Sequence, residues 1–287
     1  MLAKVLALSR WKEHFSFTIP LTLFGYAIGA KYLEIKPHFL PISLALTANI
    51  LAISFAFMVN EIEDAPDDKA AGKKNPVADK LLSVNEAWLV AIITLIASAT
   101  LYFYLGDGIF VAGGSILILA LLYSWKTVRL KALPIVDILS HILMLAGLIL
   151  IVGYLVSGAV SFSQIAPLFF ACVLGSSYGQ FFNQIRDFEG DKKAGLKNTS
   201  ILIGKPVAKT LMYSSIFGAL GAVVWAFTNE TLPGWLIVAV VLLTPAVALV
   251  PQKISKRDRQ TGVKTVAFHL PFQIALTLAS LILLYSL

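Results

Sequence analysis

The feature that most restricts this chain is a series of nine apolar runs, at about 15–33, 39–59, 87–105, 109–125, 134–157, 165–185, 207–227, 233–251 and 266–285. Each is long enough to cross the roughly 30 Å hydrocarbon core of a bilayer as a helix. Segments such as Ile116–Leu122 and Leu143–Val152 are apolar on every side, whereas the strands of a membrane barrel alternate polar and apolar residues. Pro20, Pro245 and Pro271 lie inside runs, which membrane helices tolerate because neighbouring helices re-satisfy the freed carbonyls. Composition agrees with the runs. Of 287 residues 58% are hydrophobic and only 14% charged, too few charges to clothe a water-facing surface of this size. A soluble globule, a collagen-like chain and a disordered chain are all excluded. The fold expected is an all-α, polytopic membrane bundle of nine transmembrane helices. Residues 1–287 would form a single membrane domain, since the longest connection, 60–86, cannot hold a soluble one.

The formal net charge of +7 is better read by position than by sum. All 23 Lys and Arg except Lys31 and Lys36 fall at the N-terminus or in the even-numbered connections, with Lys209 just beyond the sixth. By the positive-inside rule this places the N-terminus in the cytoplasm and the C-terminus outside, in an integral protein of the cell membrane. A nucleic-acid partner is not expected, because there is neither a basic patch on a soluble fold nor an aromatic-studded strand. The first run has no small-residue cleavage site and reads as a retained helix rather than a signal peptide. The one cysteine, Cys172, excludes an internal disulfide and sits in an apolar run as a packing residue.

The acids are sorted as sharply. Ten of 16 lie in two stretches: Glu61, Glu63, Asp64, Asp67, Asp68, Asp79 and Glu86 after the second run, and Asp187, Glu189 and Asp191 after the sixth. Both stretches share a pattern, Asn60-x3-Asp64-x3-Asp68 and Asn183-x3-Asp187-x3-Asp191, repeated 123 residues apart. Steps of four drift only about 40° around a helix, so each Asn and its two Asp would form one stripe if the helix continues past the membrane boundary. Like charges so spaced repel, and at a helix C-terminus they also oppose the macrodipole. Lys69, Lys73, Lys74, Lys192 and Lys193 could neutralise such a solvated helix end. A divalent cation would offset both penalties, and all-oxygen ligands favour Mg2+ or Ca2+ over zinc. Because Mg2+ completes its shell with water and substrate phosphates, two facing stripes suggest a clamped diphosphate. In a membrane the fitting one is an isoprenyl diphosphate, polar at the interface and apolar among the helices. Metal ions would stabilise charge on the leaving diphosphate.

With these residues in view, the chain resembles the UbiA family of intramembrane prenyltransferases, which carry Asp-rich motifs after the second and sixth of nine helices. The motifs here read NEIEDAPDD (60–68) and NQIRDFEGD (183–191). The segments KKNPVADKLLS (73–83), LYSWKTVRLKALP (122–134) and GDKKAGLKNTSILIG (190–204) look like further family segments. Glu61 stands where many relatives have Asp, and Trp125 and Lys126 replace a proline-rich stretch. The resemblance implies that Asp64, Asp68, Asp187 and Asp191 bind Mg2+ and are catalytic, with Asn60 and Asn183 as polar companions. It also implies that Arg129 and Lys131, with Lys126 and Tyr123, contact the diphosphate. The implied reaction is transfer of a polyprenyl group, for example from geranylgeranyl diphosphate, to an acceptor. That acceptor is an aromatic quinone precursor or a glycerol-phosphate ether-lipid precursor; a haem-type acceptor is disfavoured by the lack of a His constellation. A membrane terpene cyclase using the same metal site, and a cation or phosphate transporter, are the rival readings. Asp137 and His141, one turn apart near the start of the fifth run with Ser140 between them, would line the acceptor pocket or act as a base, or make a plain structural hydrogen bond. His14, His38 and His269 read as interfacial.

Overall fold

The computed structural model describes residues 2–70, 72–248, 261, 263 and 269–287, and every regular element among them is helical. A short α1 (Leu2–Ser9) breaks at Arg10, whose φ of 48° turns the chain into α2 (Trp11–Leu33). Then come α3 (Phe39–Ala70), α4 (Val84–Leu105) and α5 (Asp107–Ser124). After a 3-10 turn at Leu130–Ala132 follow α6 (Val136–Val156), which runs as a π-helix over Leu143–Gly147, and α7 (Phe162–Lys193). The chain continues through the single-turn α8 (Thr199–Ile203), α9 (Lys205–Thr228), α10 (Trp235–Ala248) and α11 (His269–Tyr285). Six of these, α3, α4, α5, α6, α7 and α9, are long and apolar enough to cross a membrane. The other three expected runs fall on α2, which is charged near both ends, on α10, and on the 17-residue α11. Lys253, Lys256, Arg257, Arg259 and Lys264, in the connection before α11, lie outside the described residues.

The helices are apolar nearly all round, so long-range packing decides which faces are inside. In α3 and α7 61% of the most apolar window is buried and in α6 56%, against 22% in α4 and α9, so the first three are the most enclosed of these spans. Bare apolar side chains such as Ile93, Ile96 and Phe103 on α4 and Phe217 and Val224 on α9 form the outer surface. Lipid adds no hydrophobic force between helices, so association depends on close approach and on polar bolts. Both occur at the centre. A Cβ on Gly25 of α2 would collide with the Leu150 carbonyl of α6, and one on Gly153 with the Thr22 carbonyl. Buried Asn49 of α3 donates to Thr22 Oγ1 (2.8 Å) and to the Ile149 carbonyl (3.3 Å), and accepts from Tyr102 Oη of α4 (2.8 Å). One side chain thus ties four helices together.

Bonds between connections mark the two ends of the bundle. At one end Arg10 meets Glu61, the Lys126 amide meets Glu63, and Lys205 meets Glu189. At the other, the His38 amide donates to Tyr26 Oη and Lys31 to the Glu230 carbonyl. Residues 60–68 and 183–191 lie in the last turns of α3 and α7, at the first end. Each helix has 32 residues, about 48 Å at 1.5 Å per residue, so it outruns the hydrocarbon core and carries its acids beyond it.

Candidate functional site

Where α3 and α7 end, the bundle opens into a cavity of about 1840 Å³. Its mouth is lined by Asn60, Asp64 and Asp68 from α3 and by Asn183, Asp187 and Asp191 from α7. Lys131, Tyr123, Gln180 and His141 also face it. Deeper, the wall turns apolar, with Phe24, Leu145, Leu168, Cys172, Val223 and Leu276. One space therefore joins a charged, oxygen-rich mouth to a hydrocarbon-lined depth.

In the first motif Asn60 Nδ2 donates to Asp64 Oδ2 (2.9 Å) and to Ser124 Oγ of α5 (3.0 Å). Lys131 Nζ lies 2.5 Å from Asp64 Oδ2, and Arg129 bridges Asp64 (3.5 Å) and Asp67 (2.8 Å). Burial pushes the Lys131 ammonium below the usual lysine range, and the Asp64 carboxylate opposes that shift. Asp68 accepts from Asn75 Nδ2 (3.0 Å), with Lys73 Nζ at 3.8 Å. In the second motif Arg186 Nε contacts Asp187 (3.2 Å), and Asn198 Nδ2 donates to Asp191 (3.1 Å). Among the described residues no three His, Cys, Asp or Glu converge closely enough to cage a metal ion. Mg2+ is usually held by one or two carboxylates plus substrate phosphates, and four carboxylates on two helices lining one cavity are a donor set of that kind.

The other expected residues are placed differently. Lys126 and Arg129 do not line the cavity: Lys126 Nζ lies 3.9 Å from Asp67, and Arg129 holds the outer acids. Asp137 does not line it either. It is fully buried, and its carboxylate accepts from the Ile138 amide (2.8 Å), Gln184 Nε2 (2.7 Å), the Thr199 amide (2.7 Å) and, in a very short bond, Thr199 Oγ1. Of the readings open to it, the structural hydrogen bond is the one the geometry gives. His141 does face the cavity, with its Nδ1 buried and unpartnered and its ring 5.9 Å from that of Tyr123, which accepts from Gln180 (2.9 Å). Two of the histidines expected at the interface are turned into the bundle. His14 is buried against Ser54 Oγ (3.2 Å) and stacked on Phe57, and His269 bonds Tyr178 Oη (2.7 Å) at the cavity wall. Helix periodicity alone could not aim those rings inward, because their helices carry no clear polar face.

Sequence reasoning missed several residues at the mouth. Arg10 was read only as an orientation charge, yet it pairs with Glu13 (2.5 Å) and Glu61 (3.2 Å), sits over the Phe57 ring, and lines the cavity with both acids. Asn75 and Asn198, the partners of Asp68 and Asp191, were missed too; the signal was available in the repeat, whose register continues past the acids.

This architecture is similar to that of known proteins. The chain resembles in fold a UbiA homolog from Archaeoglobus fulgidus bound to GPP and Mg2+, at 22% identity and a TM-score of 0.71, with 98% of this chain and 99% of that one covered. It is similar to a UbiA homolog from Aeropyrum pernix K1 (17% identity, TM-score 0.73, 94% and 98% covered). It is also similar to a digeranylgeranylglyceryl phosphate synthase (19%, 0.67, 100% and 99%). No curated protein matches by sequence. A family model matches residues 18–285, nearly the whole chain, and the chain belongs to the UbiA prenyltransferase family.

Proposed function

We propose that this protein is an Mg2+-dependent membrane prenyltransferase. It binds an isoprenyl diphosphate in the cavity between α3 and α7 and transfers the prenyl group to an acceptor, releasing diphosphate. The observation that carries this reading is the cavity itself, in which four repeated aspartates and Lys131 stand at the mouth of an apolar depth. The polar head and the hydrocarbon tail of one substrate need that pairing. A relative in fold bound to GPP and Mg2+ supports the donor class.

In this reading Asp64, Asp68, Asp187 and Asp191 hold Mg2+ with the donor, and Asn60 and Asn183 flank them. Bound there, Mg2+ would supply the charge neutralisation that lets diphosphate leave the allylic carbon. Lys131 reaches diphosphate oxygens from within the cavity, while Arg129 and Lys126 hold the acidic end of α3 and add positive potential at the mouth. Tyr123, Gln180 and His141 form the wall where the acceptor nucleophile approaches. The acceptor is an aromatic quinone precursor or a glycerol-phosphate ether-lipid precursor. The whole chain works as one nine-span membrane domain, with its N-terminus and active site facing the cytoplasm and its C-terminus outside.

The test is to incubate purified protein with labelled geranylgeranyl diphosphate, Mg2+ and a panel of aromatic and glycerol-phosphate acceptors, and to identify products by mass spectrometry. A prenylated acceptor is expected. A cyclised hydrocarbon formed without acceptor would make the protein a terpene cyclase, and no binding or turnover of any isoprenyl diphosphate would refute the proposal. The transporter alternative predicts ion or phosphate flux across vesicles that Asp64→Ala abolishes. Transport sites sit near the midplane on broken helices, whereas these acids lie at one end of the bundle.

A further inference from the structure

The internal repeat does not stop at the acids. Carrying its 123-residue register onward pairs Lys69 with Lys192, Gly72 with Gly195, Lys74 with Lys197 and Asn75 with Asn198. The backbone repeats as well. Gly72 (φ 63°) and Gly195 (φ 75°) both take the left-handed conformation that ends a helix and that glycine adopts without a Cβ clash. The residue after each glycine then donates its amide back to the carbonyl of the last aspartate: Lys73 N to Asp68 O at 2.9 Å, and Leu196 N to Asp191 O at 3.0 Å. This pair of six-to-one bonds folds the chain back, so the asparagine seven residues after each acid returns beside it.

Both asparagines hold the last aspartate of their motif, and Asn75 Nδ2 also donates to the Glu61 carbonyl (2.9 Å). Asn75 Nδ2 donates to Asp68 Oδ2 at 3.0 Å, and Asn198 Nδ2 to Asp191 Oδ2 at 3.1 Å. Both side chains line the cavity, yet they are only 1% and 3% exposed. Their carbonyl oxygens are committed elsewhere. Asn75 Oδ1 accepts the amides of Val77 (2.9 Å) and Ala78 (3.1 Å), and Asn198 Oδ1 accepts that of Ile201 (2.9 Å) as the cap of α8. A backbone N–H can only donate, so flipping either side-chain amide would set NH2 against N–H. The amide orientation is therefore fixed, and with it the donor aimed at the carboxylate.

We infer that Asn75 and Asn198 are a matched pair of positioning residues, each fixing the rotamer of the last aspartate of its motif by holding its Oδ2. The inference rests on the metal–diphosphate reading proposed above and extends it to the residues behind the ligands. A neutral amide orients a carboxylate without cancelling its charge, which an ammonium in the same place would do. Outer-shell donors of this kind are worth about 10–100-fold in metal affinity.

The test uses Asn75→Ser and Asn198→Ser in the full-length protein. Serine still accepts a backbone N–H as a cap or turn residue, but it is too short to reach the carboxylate. Mn2+ serves as the probe. Its free fraction is followed by electron paramagnetic resonance with a non-ionising isoprenyl bisphosphonate present, and metal-free thermal melts report folding. Each variant is expected to melt cooperatively without metal, Asn75→Ser at a lower temperature because it also loses the Glu61 carbonyl bond, and to bind Mn2+ about 10–100-fold more weakly than the parent. If the parent binds Mn2+ and both variants bind it equally well, the positioning role is overturned while the donor reading stands. If both variants lose the metal-free fold, the role is likewise overturned, because these residues are then structural. If one fails to fold, the other decides. A parent that binds no Mn2+ with the bisphosphonate would instead strike at the donor reading itself.

Discussion

Replacing Asp137 by Asn should loosen the second motif from behind the cavity wall. The carboxylate accepts four hydrogen bonds: Oδ1 from the Ile138 amide and Thr199 Oγ1, and Oδ2 from Gln184 Nε2 and the Thr199 amide. An asparagine side chain has one acceptor oxygen. With its NH2 in the Oδ2 position, the Gln184 and Thr199 donors both lose their acceptor. With NH2 in the Oδ1 position, the Ile138 amide keeps its bond to the Ile135 carbonyl (3.1 Å), and only the Thr199 hydroxyl, which already accepts the Ile135 amide (2.7 Å), must turn round. The side chain takes the second orientation, which leaves about one buried donor unpaired, so a loss of roughly 1–3 kcal/mol is expected. For a chain of this size that is about 2–12 °C in melting temperature. The damage should be local first. Asp137 pins Thr199, and Thr199 neighbours the Asn198 that holds Asp191. Amide hydrogen exchange should therefore accelerate over residues 196–203 before the rest of the bundle responds. An Asp137→Asn protein that melts within about 1 °C of the parent and keeps its protection there would refute the argument.

Other consequences can be checked in parallel. Asp64→Asn or Asp187→Asn should cut Mg2+-dependent diphosphate release by about 100-fold or more, and chelation of Mg2+ should abolish release in the parent. Lys131→Met removes a charge-assisted bond worth about 1.5–3 kcal/mol, so donor affinity measured by calorimetry should fall roughly 10–100-fold. Gly25→Leu would drive a side chain into the Leu150 carbonyl of α6, and no folded protein should be recovered by size-exclusion chromatography in detergent. Cys172, the sole cysteine, lines the apolar wall, so a saturating isoprenyl diphosphate should protect it from a membrane-permeant maleimide, as read by mass spectrometry.

Much of the site was legible because its signals are local. The spacing of Asn60, Asp64 and Asp68 needs only helical geometry to become a stripe, and its recurrence 123 residues later marks a second one. Lys131 followed from its neighbourhood in a family-like segment. Asp137 looked equally suited to the cavity or to the protein interior, because the partner that decides, Thr199, lies 62 residues away. Asn75 escaped notice for a related reason: its value depends on the glycine turn that brings it back to Asp68.

The sequence by itself determined that this chain is all-helical with long apolar runs, and that its acids recur at one spacing, since hydropathy and spacing along a helix are properties of the chain alone. Only the tertiary structure decided that α3, α6 and α7 are the most enclosed spans and that the acids of α3 and α7 share one cavity. It also decided that Arg10 and Lys131 reach that cavity while Arg129 and Asp137 do not. A helix that is apolar all round carries no mark of which side faces lipid and which faces its neighbours. That choice is made by close glycine contacts such as Gly25 on Leu150 and by buried bonds such as those of Asn49, formed between residues far apart in sequence.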